Sequence, residues 1–361
     1  MATILAIEPW YGETHRYFLE SWQRFSAHQI INITLPARKW KWRLRAGSLL
    51  LAEKVNALRV DYQGIMVSDY VNLAELKGLT KDAFLGKRTI SYFHENQLTY
   101  PVQNQSERDY AFTLANMMTM AASDTIAWNT SFHMRDFLSS LPQFIDLLPT
   151  PHPSDFEQRV KDKSVTIPVG IEFKRFDEAR KARKDRSGKP LRILWPHRWE
   201  HDKNPEEFFR IILGLYEEGL PFELTILGRR HKDIPPIFNT IHEKMQDRIV
   251  MFGFIGNDEY PDAIAACDVV VSTAIHENQG LAVIEAIRAG CDPLLPNRLA
   301  YPEILPERLH DKHLYRSSGE MRRILRWMIK NPDKVRRRTH ETAMARFDIR
   351  KTTASLDSLF A

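Results

Sequence analysis

The stretch LRILWPHRWEHDKNPEEFF (191–209) sets the class of fold. Leu191 to Trp195 form an apolar run of strand length, and the residues from Pro196 to Asn204 are mostly polar. Pro205 then opens a helix, a position that suits proline because the N–H it lacks would be unpaired there anyway. A buried strand leading through a polar loop into a helix is the repeating unit of a parallel sheet covered by helices.

The same alternation extends in both directions. TILAI (3–7), GIMVS (64–68), RTISYF (88–93) and DTIAW (124–128) read as strands of a first series. LRILW (191–195), FELTIL (222–227), RIVMF (248–252) and DVVVS (268–272) read as a second. Between them KRFDEARKARKDRSGKP (174–190) is charged, lacks apolar periodicity and ends in Ser-Gly-Lys-Pro, the pattern of a linker. A chain of 361 residues exceeds one ordinary core and fits two domains. The expected fold is therefore α/β, with two Rossmann-like doubly wound domains facing a central cleft. The expected boundaries are 1–173, a linker at 174–190, 191–345, and a C-terminal helix at 346–361 placed to pack back on the first domain. Such sheets bind ligands outside the carboxyl ends of their strands, so the loops there should carry the chemistry.

Composition narrows the class. The chain is 43% hydrophobic and 27% charged, as globular proteins are. No apolar run reaches membrane-spanning length, and MATILAIEPW (1–10) lacks a basic start and a long apolar core, so a cytoplasmic location without stable membrane association is expected. Cys267 and Cys291 lie in apolar segments at no metal-ligand spacing, so reduced, buried thiols and no metal site are expected. The net charge of +5 suits phosphate-bearing partners without demonstrating one.

Four loops are informative. Arg198 and Lys203 precede the helix that Pro205 starts; a guanidinium fork and an ammonium point charge at a helix N-terminus form a diphosphate clamp. HENQGLAVIE (276–285) brackets Gly280 and an apolar helical run with Glu277 and Glu285. The helix N-terminus suits a phosphate and the carboxylates suit sugar hydroxyls. EPWYGETHR (8–16) is a turn in which Gly12 permits tight geometry and Thr14 can cap the next helix. It is not G-x-G-x-x-G, which disfavours a dehydrogenase. HENQLTYPV (94–102) places His94, Glu95, Asn96 and Gln97 at a strand end, where His94 could meet a sugar hydroxyl or an anomeric centre. In ARKWKWRLRAG (37–47), Arg38, Lys39, Lys41, Arg43 and Arg45 interleave with Trp40 and Trp42. Cations could meet phosphates there while indoles stack on unpaired bases; the bland alternative is an amphipathic element with tryptophans packed inward.

Arg198 and Lys203 followed by Glu277 and Glu285, with seven residues between the glutamates, resemble the donor site of GT-B retaining glycosyltransferases of family 4. EPWYGETHR, LPARKWKWRLRA (35–46), YFHENQLTYPV (92–102), LWPHRWEHDKNPE (194–206) and YPEILP (301–306) resemble the tRNA-queuosine mannosyltransferase family over nearly the whole chain. The resemblance implies transfer of mannose, with retention, from GDP-mannose to the cyclopentenediol of queuosine at the wobble position of tRNA(Asp). It implies Arg198 and Lys203 on the diphosphate, Glu285 on the ribose, Glu277 on the donor sugar, and amides of Gly280, Leu281 and Ala282 at the distal phosphate. Phe254, within FGFIG (252–256), would flank the base, Gly12 would face the donor, and His94 would orient the sugar. Glu95, Asn96, Gln97 and the basic tryptophan segment would meet the tRNA. No metal or other cofactor is expected, because cations and helix amides can stabilise the leaving diphosphate and no Asp-x-Asp site is evident. Gln279 departs from the family 4 pattern, which often has an aromatic residue before the glycine. Two alternatives stay open: a hexosyltransferase acting on a lipid-linked or envelope saccharide, with the basic segment at a membrane surface, and an RNA-binding module with a vestigial donor fold.

Overall fold

A computed structural model describes residues 1–102, 108–153, 155–230 and 234–361. The chain forms two compact units, Met1–Gly170 with Ile349–Ala361, and Ile171–Asp348.

The first unit holds a six-stranded parallel sheet of β1 (Thr3–Tyr11), β2 (Gln29–Pro36), β3 (Gly64–Ser68), β4 (Arg88–Phe93), β5 (Thr125–Trp128) and β6 (Ser164–Thr166), ordered β2-β1-β3-β4-β5-β6. The second holds β7 (Leu191–Pro196), β8 (Phe222–Leu227), β9 (Ile249–Gly253), β10 (Val269–Val271), β11 (Asp292–Pro296) and β12 (Leu314–Tyr315), ordered β12-β11-β10-β7-β8-β9 and again parallel. Helices connect the strands, as parallel pairing requires, and the central strands are buried throughout because helices cover both faces. In each sheet the strand order reverses once, between β1 and β3 and between β7 and β10. The loops leaving those strands frame the crevice where doubly wound sheets bind ligands.

Several expectations need correction. Four strands, β2, β6, β11 and β12, were not read from the sequence. The segment 174–190 is not an open linker: Lys174–Lys181 is a helix, and its Phe176 and Ala179 enter the core of the second unit. Its charges are matched locally, with Arg288 forking onto Asp177 at 2.6 Å and Arg180 reaching Glu341 at 2.9 Å. Thr14 does not cap the first helix; Gly12 occupies the cap of Glu13–Phe25 with an extended backbone and no side-chain cap. What demands glycine there is space, since a Cβ would stand 2.6 Å from the Cβ of Ala37.

The helix Ile349–Asp357 belongs to the first unit, where the Asp357 carboxylate accepts from Trp22 Nε1 at 2.8 Å, Ser26 Oγ at 2.7 Å and the Ala27 amide at 2.8 Å. Cys267 and Cys291 are buried and form no disulfide. Among the described residues no helix is long and apolar enough to cross a membrane.

Candidate active site

In the second unit the residues leaving β7 and β10 meet at the strand-order reversal. His197 and Arg198 follow β7, and a short turn, His201–Lys203, brings Lys203 back beneath the loop after β10. Lys203 is only 7% exposed. Its ammonium donates to the His276 carbonyl at 2.9 Å and lies 3.0 Å from Asp202 Oδ2 and 3.4 Å from Glu277 Oε2. Glu277 uses its other oxygen to accept from the Gly280 amide at 2.9 Å and the Gln279 amide at 3.3 Å. It thereby covers the N-terminus of the helix Leu281–Arg288, whose cap is Gly280 in the left-handed region at φ 82°. Burial alone would raise the Glu277 carboxyl, but Lys203 and the two amides hold it at about 2. Lys203, buried, and Glu277, half-buried, are thus joined in one ionised unit. The Gly280 amide, expected at a phosphate, here serves Glu277; Leu281 and Ala282 supply the first-turn amides of that helix.

Arg198 is exposed and pairs with Glu200 at 3.2 Å. Glu285 lies a turn inside the helix, partly exposed, where burial pushes its carboxyl up to about 7 against the opposing pull of Arg175 and a hydrogen bond with Tyr260. Phe254, after β9, is 62% exposed, with the Arg229 guanidinium 5.5 Å from its ring centroid. Sequence reasoning passed over His197, 5% exposed, whose Nε2 has no partner and whose ionisation burial and Lys203 push down to about 3. Its signal was its place beside Arg198 at a strand end. Tyr260 and Arg229 were missed too, because each acts through a partner distant in sequence, and so was Asp202, which sits beside Lys203 in the chain.

The first unit gathers a second set of groups at its own reversal. Glu8 of β1 is paired with His15 at 2.7 Å; Asp69 and Tyr70 follow β3, and His94 follows β4. The rings of His15 and His94 are 4.2 Å apart. Glu95 accepts from the Tyr70 hydroxyl at 2.6 Å and from Gln97 Nε2 at 3.3 Å. Asn96 is buried and spent on its own loop: its Oδ1 accepts from the Leu98 and Thr99 amides and its Nδ2 donates to Thr99. The Asx turn thus occupies its Oδ1 and one of its two Nδ2 hydrogens within the loop.

The basic segment is the start of the helix Trp40–Asn56. Trp40 packs inward on Phe112 at 5.2 Å and edge-on to Tyr70, whereas Trp42 is 68% exposed. Arg38, Lys39, Lys41 and Arg45 are exposed as well, though Arg45 also pairs with Asp109 and Arg43 donates to the Pro36 carbonyl at 3.1 Å. The two tryptophans, read together in the sequence, have opposite environments.

Among the described residues, one group has metal-like spacing: Asp292, His313 and His340. The Arg338 guanidinium, 2.8 Å from Asp292, already compensates that carboxylate, and the group stands at the amino end of β11 rather than at the site.

Residues 3–171 match the family described as tRNA-queuosine alpha-mannosyltransferase N-terminal, and residues 176–345 match Glycosyl transferases group 1. The tRNA-queuosine alpha-mannosyltransferase of Drosophila melanogaster is 35% identical over 327 residues, covering 88% of this chain and 84% of the relative. A GDP-mannose-dependent alpha-(1-6)-phosphatidylinositol dimannoside mannosyltransferase of Mycobacterium tuberculosis is 24% identical over 289 residues, covering 76% and 68%. The solved structure of sucrose-phosphate synthase from Thermosynechococcus elongatus matches with a TM-score of 0.75 at 13% identity, covering 99% of this chain and 98% of the other, a likeness of fold that identifies GT-B. With two parallel-sheet units, an ionised Lys203–Glu277 pair at a helix N-terminus and this extent of identity, the chain belongs to the tRNA-queuosine alpha-mannosyltransferase family.

Proposed function

We propose that the protein transfers mannose from GDP-mannose to a hydroxyl of the queuosine cyclopentenediol at the wobble position of tRNA(Asp), in the cytoplasm, with retention and without a metal. The single observation that carries the chemistry is the Lys203–Glu277 pair at the N-terminus of the helix Leu281–Arg288, beside Arg198. A leaving diphosphate gains negative charge as its bond to the sugar breaks, and preorganised cations and helix amides stabilise that charge. Arg198 and Lys203 serve the diphosphate, Glu277 the sugar, Glu285 the ribose hydroxyls, and Phe254 with Arg229 the base. Glu285 must ionise to accept two hydroxyls, so its raised carboxyl couples nucleotide binding to pH.

In the reaction the bond from the anomeric carbon to the β-phosphate oxygen breaks, leaving an oxocarbenium-like mannosyl group. The acceptor hydroxyl attacks from the same face and its proton passes to the departing phosphate, giving GDP and the mannosylated nucleoside. Rate enhancement comes mainly from positioning and charge stabilisation, with His94 orienting the sugar. Exposed Trp42 among Arg38, Lys39 and Lys41 suits stacking and phosphate contact in an anticodon arm.

The test incubates purified protein with radiolabelled GDP-mannose and excess EDTA, offering queuosine-containing tRNA or phosphoinositide vesicles. Label in tRNA, undiminished by EDTA, is expected. Label only in vesicles would favour the lipid acceptor, and activity restored by one divalent ion would overturn metal independence.

A further inference from the structure

Glu8 is 1% exposed inside β1, where an ionised carboxylate needs compensation. One oxygen accepts from the Trp10 amide at 2.7 Å and the other meets His15 Nδ1 at 2.7 Å. The His15 ring in turn touches that of His94, with centroids 4.2 Å apart, and meets Tyr70 edge-on at 5.4 Å. His94 is held on every side: its amide donates to Asp69 Oδ1 at 3.2 Å, its carbonyl accepts from Asn129 Nδ2 at 2.9 Å, and Tyr92 and Phe18 wall its ring at 4.7 and 4.9 Å. Two imidazoles in contact inside a protein cannot both be charged without strong repulsion. The one that touches the carboxylate takes the proton.

We propose that Glu8 and His15 are positioning residues for His94: the carboxylate fixes His15 as an imidazolium, and that charged ring, packed against His94, keeps His94 uncharged and in a single orientation. The catalytic consequence rests on the reading above, in which His94 orients the transferred sugar. A sugar that develops positive charge would be repelled by a second imidazolium, whereas a neutral ring can hydrogen-bond to a hydroxyl without opposing that charge.

The surrounding groups agree. His15 is faced by Glu8 from β1, Asp69 from the loop after β3 and Glu95 from the loop after β4; although burial opposes it, these carboxylates raise His15 to about 9. His94 is pushed well below its ordinary value by burial, then by His15 and by His133 of the helix Ser131–Ile145. Asp69 is pushed well up by burial, against the opposing pull of His15, and Tyr70 and Tyr92 stay protonated.

The test is a nuclear magnetic resonance titration of the full-length protein with labelled histidine, paired with the pH profile of turnover. In the wild type, His15 should be doubly protonated and His94 neutral at neutral pH, with His94 staying neutral well below the ordinary histidine range. In Glu8→Gln, which keeps the shape of the side chain, His15 should lose its proton at neutral pH. In His15→Asn, His94 should titrate upward and the acid limb of turnover should move up by about one pH unit or more, a tenfold loss on that limb. Glu8→Asp should restore much of the wild-type profile. A neutral His15 in the wild type, or an unmoved acid limb in stable variants, overturns the proposal. The wild-type titration needs no variant to fold. Failure of the wild type to label tRNA, with these protonation states intact, refutes the tRNA reading alone.

Discussion

Replacing Lys203 with methionine keeps most of the side-chain volume and removes the charge that Asp202 and Glu277 enclose. At 3.0 and 3.4 Å, with an effective dielectric constant of about 20, each attraction amounts to about 5 kcal/mol before lost hydration is subtracted. The net effect is smaller. Depression of Glu277 from 4.5 to about 2 corresponds to about 3 kcal/mol, and breaking a buried pair by removing one partner costs about 3–5 kcal/mol. Lys203→Met should therefore unfold about 6–20 °C lower near neutral pH, given about 2–4 °C per kcal/mol for a unit of this size. The effect has a defined pH dependence. Because the folded-state value of Glu277 is depressed, its contribution is fully present above 4.5 and is lost as pH falls toward about 2. The gap between wild type and variant should accordingly be widest near neutrality and shrink on acidification through that window. Calorimetry across pH measures it. An unchanged melting temperature, or a gap of constant size at every pH, would refute the buried ion cluster. Below the variant's melting temperature, turnover should fall about 10²–10³-fold.

Other expectations follow from individual environments. Nucleotide affinity, measured calorimetrically, should weaken as pH falls through about 7, where Glu285 gains its proton, and Glu285→Gln should bind weakly with a flat profile. Trp42→Ala should cost about 1–3 kcal/mol in tRNA binding at unchanged melting temperature; Trp40→Ala, removing the ring packed on Phe112 and Tyr70, should lower the melting temperature instead. Neutralising Arg38, Lys39 and Lys41 together should weaken tRNA binding and flatten its salt dependence while leaving donor affinity unchanged. Asp357→Ala should destabilise the first unit by orphaning Trp22 Nε1 and the Ala27 amide, read by chemical denaturation.

In the second unit the sequence singled out Arg198, Lys203 and Glu277, because they are charged residues in polar loops that follow apolar strands, and the structure brings Lys203 and Glu277 together. The sequence carried the first unit's site poorly. Glu8 was the polar boundary of an apolar run, and only the fold shows β1 continuing to Tyr11 with that carboxylate buried against His15. The strand β11, Asp-Pro-Leu-Leu-Pro, was hidden by prolines that propensity assigns to edges and turns, yet burial between β10 and β12 overrides them. The helix Lys174–Lys181 was hidden by its charges. Its only core signal was Phe176 and Ala179 at a spacing of three, and the close partners of Asp177 and Arg180, Arg288 and Glu341, lie over a hundred residues away. Trp40 and Trp42 could not be separated at all until the helix Trp40–Asn56 set which of them faces inward.

The most direct measurement is mass spectrometry of nucleosides released from queuosine-containing tRNA after incubation with the protein and a panel of sugar nucleotides. Transfer of mannose from GDP-mannose to the cyclopentenediol predicts a queuosine nucleoside heavier by one hexose with that donor, and none with tRNA lacking queuosine. Unmodified queuosine with every donor, while the protein still hydrolyses one of them, would contradict it.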